Sequence, residues 1–305
     1  MSDFLAANEL ALRLFSALLV FCAMAAWEAA APFRQAEFGR KTRWPNNLGI
    51  IVLDAVILRL ILPIGLVGAA AVVEAHGWGL LNLVSAPPWL AFLVALILLD
   101  VAIYLQHVAF HAVPALWRLH RMHHADPHFD VTTGLRFHPL EILLSTLYKL
   151  AVIAALGAPA AAVLVFEIVL NGTALFNHGN VGLPARLDRV LRWIIVTPNM
   201  HRIHHSVRPE ETNSNFGFNL PWWDRLFGTY RRRAVVDERV MTIGLDRFRT
   251  LRDQRIDRML IQPFLGAATV YPINRTAPEP SPNAEPAPAN SEDESDGLET
   301  RLSRL

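Results

Sequence analysis

Histidines are the residues whose type and spacing invite chemistry in this chain. There are twelve, and all but His76 fall between His107 and His205. Three clusters stand out. His107 and His111 are four apart; His120, His123 and His124 form an HxxHH pattern; His201, His204 and His205 repeat it. Side chains at i, i+3 and i+4 share one helix face, so each cluster can aim its imidazoles at one point. His138, in Phe137-His138-Pro139, and His178, in Asn177-His178-Gly179-Asn180, stand between the second and third clusters. Neutral imidazole is a common ligand for iron, zinc and copper. A single ion usually takes about three or four side chains, so this many histidines imply two metal ions. The expected ligands are His107, His111, His120, His123, His124, His178, His201, His204 and His205, with His138 a further member. The one cysteine, Cys22, lies in an apolar run, so the metals must be held by nitrogen and oxygen. His76 and His128 stand apart from the clusters and are read as ordinary polar residues.

Other chemistries lack their residues. There is no HExxH, GxSxG, GxxxxGK or GxGxxG. Ser206 follows His205, but neighbours in a chain rarely form a nucleophile–base pair, and capping or solvation is its expected role. The formal net charge is +1, which gives no basic excess for a nucleic-acid partner.

The elements that must position the histidines are apolar. Of the 305 residues 53% are hydrophobic and 18% charged, which points to a membrane protein. Apolar runs cover Leu10 to Ala31, Leu48 to Val73 and Pro88 to Leu105. A longer one, Leu140 to Phe176, is broken by Gly157-Ala158-Pro159 and reads as a helical hairpin. The first run lacks the basic amino-terminal region of a signal peptide and is read as a span. Asp54, Arg59, Lys149 and Glu167 interrupt these runs and should face protein or water. Basic residues follow the first span (Arg34, Arg40, Lys41, Arg43), the third (Arg118, Arg121) and the hairpin (Arg186 to Arg258). The positive-inside rule then puts the histidines and the carboxy terminus in the cytoplasm. The basic stretch Arg186 to Arg233 is assigned to topology and lipid headgroups in preference to docking an acidic redox protein. The Trp222-Trp223 pair is assigned to the membrane interface or the core.

The fold expected is all-α: a polytopic membrane helical bundle with a cytoplasmic, helical, histidine-rich metal-binding cap. Its parts are amino-terminal spans over residues 1–80, a catalytic region over 81–262 and a tail over 272–305. From Thr276 to Ser295 the chain is rich in Pro, Ala, Ser and Glu and too poor in apolar residues to fold, so the tail reads as disordered and cytoplasmic.

The clusters and their surroundings resemble the fatty acid hydroxylase and sterol desaturase superfamily of membrane oxidases. Asp100 and Tyr104 match the lead-in to its HxxxH. Asp126-Pro127-His128-Phe129-Asp130 and Arg136-Phe137-His138-Pro139-Leu140-Glu141 match the extension of its first HxxHH. His178-Gly179-Asn180 matches its His-x-Asn element. Asn215-Phe216-Gly217 and Trp223 to Tyr230 match its carboxy-terminal signature. The likeness spans roughly residues 90 to 232. It implies a centre of two iron ions, zinc being the substitute expected after purification. It further implies dioxygen as co-substrate and hydroxylation or desaturation of a fatty acyl, sterol or related lipid. Metal-bound histidines need their second nitrogen oriented, and Asp100, Asp126, Asp224 and Glu141 are the candidates. No haem-binding segment is visible, so a separate electron-donor protein is expected. The expected location is a bacterial inner membrane. Two other functions compete: cleavage of an ether lipid by the same centre, and metal transport, which would place ligands within the spans and on both sides.

Overall fold

The computed structural model describes residues 8–266, except 37 and 85. It is all-α, with no strand among the described residues beyond a single bridge between Ser206 and Ile243. Five segments are long and apolar enough to cross a bilayer: Glu9–Ala30, Arg40–Leu83, Pro88–Ala112, Pro139–Leu156 and Ala160–Asn177. The shortest holds 18 residues, which at a rise of ~1.5 Å per residue comes close to the ~30 Å hydrocarbon layer.

The first segment is helix α1 (Glu9–Ala30). The second is not the single span expected from Leu48 to Val73. It divides into α2 (Arg40–Ile61), α3 (Gly65–Ala75) and a short turn, α4 (Leu80–Leu83). The break falls at Pro63, because a residue before proline is driven out of helical geometry: Leu62 has φ −127° and ψ 74°. The third segment, α5 (Pro88–Ala112), runs past the apolar stretch and carries His107 and His111 on its last turns. Val113 adopts extended geometry before Pro114, and α6 (Pro114–His124) starts there, bearing the second cluster.

The hairpin forms as expected. Helices α7 (Pro139–Leu156) and α8 (Ala160–Asn177) are joined at Gly157, whose φ of +67° is left-handed. A Cβ at Gly157 would lie 2.4 Å from the Trp78 carbonyl oxygen, so this tip needs glycine on both counts. The interrupting charges meet one another. Lys149 of α7 pairs with Glu167 of α8 at 2.8 Å, and Arg13 of α1 reaches the same carboxylate at 3.3 Å. Asp54 is buried within protein, as its place in an apolar run required.

The five segments alternate, so one end of the bundle collects the last turn of α1, the start of α2, the end of α5, the start of α7 and the end of α8. A small cap closes that end, built from α6, α9 (Ala185–Leu191), α10 (Pro198–His204), α11 (Pro209–Thr212), α12 (Trp222–Leu226) and α13 (Ile256–Met259). The opposite end holds the α7–α8 turn against Trp78 and Asn82. Helices α1 to α3 pack directly on the α7–α8 hairpin. Arg43 of α2, one of the basic residues counted after the first span, is fully buried and bridges Asp126 and Asp130 at 2.5 Å each. The expected tail, residues 272–305, lies outside the described residues.

Candidate metal centre

Four stretches of chain bring the histidines together. The face of α5 supplies His107 and His111; α6 supplies His120, His123 and His124. His178 caps the end of α8, and α10 with its cap supplies His201, His204 and His205. Thr197 accepts the Met200 amide and so starts α10 at the register that turns its histidines inward.

The nine rings fall into two groups. One comprises His107, His111, His120, His124 and His204; the other comprises His123, His178, His201 and His205. Within each group one nitrogen of every ring lies within 4.8 Å of the others. All nine residues are buried. Close pairs include His107 Nε2–His120 Nε2 at 3.2 Å, His178 Nε2–His123 Nε2 at 3.2 Å and His201 Nε2–His178 Nε2 at 3.1 Å. Nitrogens bound to one ion at ~2.1 Å would stand ~3 Å apart. The groups adjoin: His124 of the first stacks on His205 of the second with centroids 4.5 Å apart.

The second nitrogens say which atom faces each centre. A carbonyl oxygen only accepts, so the Nδ1 facing it must carry the hydrogen. His107 Nδ1 donates to the Phe216 carbonyl at 2.7 Å, His204 Nδ1 to that of Ser214 at 2.8 Å, and His178 Nδ1 to that of Ala174 at 2.7 Å. His120 Nδ1 meets the Glu141 carboxylate at 2.6 Å, and His111 Nδ1 faces Asn213 Oδ1 at 3.2 Å. Each of these rings therefore turns an Nε2 lone pair toward its group. The Nε2 atoms of His111, His124 and His204 and both nitrogens of His205 are buried with no hydrogen-bond partner among the described residues. Buried polar atoms are nearly always satisfied, and so many orphans at one point fit metal coordination. Burial holds the rings neutral. It pushes His120 down to about 3 and His178 to about 4, and drives His123, His124, His201, His204 and His205 well below the ordinary histidine value.

His138 does not join either group, contrary to expectation. Its Nδ1 accepts the Leu140 amide at 3.1 Å, capping α7, and its Nε2 donates to the Leu260 carbonyl at 3.1 Å. Both nitrogens are spent. Among the four carboxylates expected to orient imidazoles, only Glu141 touches one. Asp126 is taken up by Arg43 and Thr133. Asp100 accepts from Trp223 Nε1 at 2.7 Å. Asp224 accepts the amides of Phe216 and Gly217 at 2.8 and 2.9 Å, so it acts on His107 only through the Phe216 carbonyl. Asn215, at φ +55°, holds that loop by bonding Met200 and Arg231. His76 is exposed, and the buried His128 belongs to neither group. The carbonyls that fix the rings escaped the sequence reading because a backbone oxygen leaves no trace in residue type.

Residues 92–229, which contain all nine histidines, match the fatty acid hydroxylase family. The chain carries a fatty acid hydroxylase domain. This domain is 34% identical over 141 residues to ornithine lipid hydroxylase OlsE of Rhizobium tropici, covering 45% of this chain and 40% of that protein. Alkylglycerol monooxygenase of Xenopus tropicalis is 28% identical over 192 residues, covering 60% of this chain and 41% of that protein. Cholesterol 25-hydroxylase of Rattus norvegicus is 28% identical over 142 residues, covering 46% of each. The likeness thus spans less than half the length of each relative. No solved structure matches the chain.

Proposed function

We propose that the protein is an integral membrane oxygenase that holds two iron ions on its two histidine groups and hydroxylates a lipid. The observation that carries this reading is the convergence of nine buried, neutral imidazoles inside a fatty acid hydroxylase domain. The first ion would be held by His107, His111, His120, His124 and His204, and the second by His123, His178, His201 and His205. When bound, the irons supply the oxidising power, drawn from dioxygen, that breaking an unactivated C–H bond requires.

The chain's own residues supply orientation and dryness. Glu141, Asn213 and the carbonyls of Ala174, Ser214 and Phe216 hold five rings in place. Phe218 packs 4.9 Å from His107 and also joins the apolar core between the spans. It stands where an acyl chain lying between the spans would meet the first group. A polar cavity of about 270 Å³ at the foot of α1, lined by Glu28, Arg34, Arg40, His128 and Asp130, suits a lipid headgroup. Phe129 stacks on His178 of the second group.

The similarity to an ornithine lipid hydroxylase and a cholesterol 25-hydroxylase favours hydroxylation over desaturation for this chain. A second reading, cleavage of an ether lipid, is supported by the alkylglycerol monooxygenase among them. Metal transport finds no support, since among the described residues both groups lie at one end of the bundle. We place that end and the carboxy terminus in the cytoplasm, on the distribution of arginines. A bacterial inner membrane is favoured by the Rhizobium relative. Residues 81–262 are the catalytic part in this reading, and electrons come from a separate donor protein. Comparative mass spectrometry of lipids from cells with and without the gene tests the proposal. One lipid class should gain a single oxygen when the gene is present; an unchanged lipid profile would refute it.

A further inference from the structure

Helix α9 is amphipathic in the wrong sense for a water-exposed cap. Its polar pair is inside: Asp188 and Arg192 are buried, bonded at 2.7 Å, and Thr197 donates to Asp188 at 2.6 Å. Its apolar side is outside. Leu187, Val190, Trp193 and Ile194 are 46% to 61% exposed. Leu187 and Val190 are three apart on one face of the helix, and Trp193 and Ile194 lie in the turn that follows it. An ordinary surface helix turns that face to the core, because large apolar side chains gain free energy by leaving water.

The same surface continues onto α12. Trp222 Nε1 donates to the Trp193 carbonyl at 2.6 Å, and Arg225 lies over the Trp193 ring at 4.0 Å. Trp222, Leu226 and Phe227 are 45%, 69% and 52% exposed. This segment is fixed to the spanning helix α5 well inside its length. Trp223 bonds Asp100, the midpoint of Pro88–Ala112, and Phe227 stacks on Tyr104 at 5.4 Å. The exposed patch is therefore continuous with a surface that faces hydrocarbon. Exposed arginines border it: Arg186 and Arg189 on α9, and Arg232 and Arg233 after α12.

We infer that α9 and α12 together form an interfacial anchor that seats the cap in the leaflet, with aromatic and aliphatic side chains in the acyl region and arginines on anionic headgroups. Tryptophan and arginine at such a boundary are what a bilayer interface selects. A patch of seven exposed large apolar side chains exceeds what a soluble face tolerates without a partner, and its continuity with α5 identifies that partner as the lipid. Helix α9 and its turn precede α10 and α12 follows it, so the anchor brackets the third histidine cluster and sets its depth in the membrane. The surface is independent of the reaction the site performs.

The test uses the full chain in nanodiscs of phosphatidylcholine with phosphatidylglycerol. A Cys22→Ser background receives single cysteines at Leu187, Ile194 or Leu226, each carrying a nitroxide, with Glu210→Cys as the water-facing comparison. Three separate sites keep the test open if one variant misfolds. Dissolved oxygen concentrates in the bilayer and a nickel chelate stays in water. The three anchor labels should relax several-fold faster with oxygen relative to nickel than the label at position 210. Equal nickel access at all four positions would overturn the inference. So would protection of the three labels only after an acidic redox protein is added, which would make the patch a protein-docking face.

Discussion

At the scale of single residues, histidines of one sequence type divide by what their second nitrogen does. His204 donates Nδ1 to a carbonyl and turns Nε2 to the first group, whereas His138 spends both nitrogens on backbone. Replacing His204 by Ala should abolish lipid oxidation and lower bound metal. Replacing His138 by Ala should leave the metal in place and cost about 1 kcal/mol, the value of a helix cap. Metal analysis beside thermal unfolding separates the two. Glu141→Leu removes the acceptor that holds His120, and outer partners of this kind are worth ~10–100-fold in metal affinity. A chelator competition should show that loss, with Glu141→Gln losing less because an amide oxygen still accepts. The pH dependence follows from the burial of the rings. Their values in the folded chain lie below the unfolded one of about 6.5, so the unfolded chain takes up more protons in acid. Stability and metal retention should hold above about pH 6.5 and fall together as the pH drops below it. Metal released at pH 5 from a chain that is still folded would contradict the neutral, buried state of these rings.

At the scale of elements, contacts across the cap carry more than the segments show alone. Arg43 reads in sequence as one of four basic residues after a span, yet it is the buried clamp between α2 and the Asp126–Asp130 loop. Arg43→Met leaves two carboxylates buried without their partner and should cost about 3–5 kcal/mol. Arg40→Met, at a side chain 41% exposed, should change little. Melting in detergent measures both. The histidine helices and the Gly157 turn were legible because periodicity, proline and glycine act locally. The division of the second apolar run at Pro63 was available from the same rule, but an unbroken hydropathic stretch masked it. The grouping of nine rings as five and four was not legible, since it depends on how four distant stretches pack. The roles of Asp100 and Asp224 were misjudged for the same reason: each carboxylate holds a loop, and the loop holds the ring.

At the scale of the whole molecule, alternating spans bring both histidine groups to one end, and on the charge distribution we propose that this end faces the cytoplasm. A cytoplasmic reporter fused after Leu305 should therefore be active and a periplasmic one silent; the reverse would invert the orientation of the spans. The central claim is that two adjoining histidine groups hold two ions that act together. Counting iron per chain in protein purified intact from iron-replete cells, with activity measured on the same sample, tests it most directly. Two irons per chain are expected, falling together with lipid oxidation in His204→Ala and unchanged in His76→Ala. One ion or none in a preparation with full lipid-oxidising activity would contradict it.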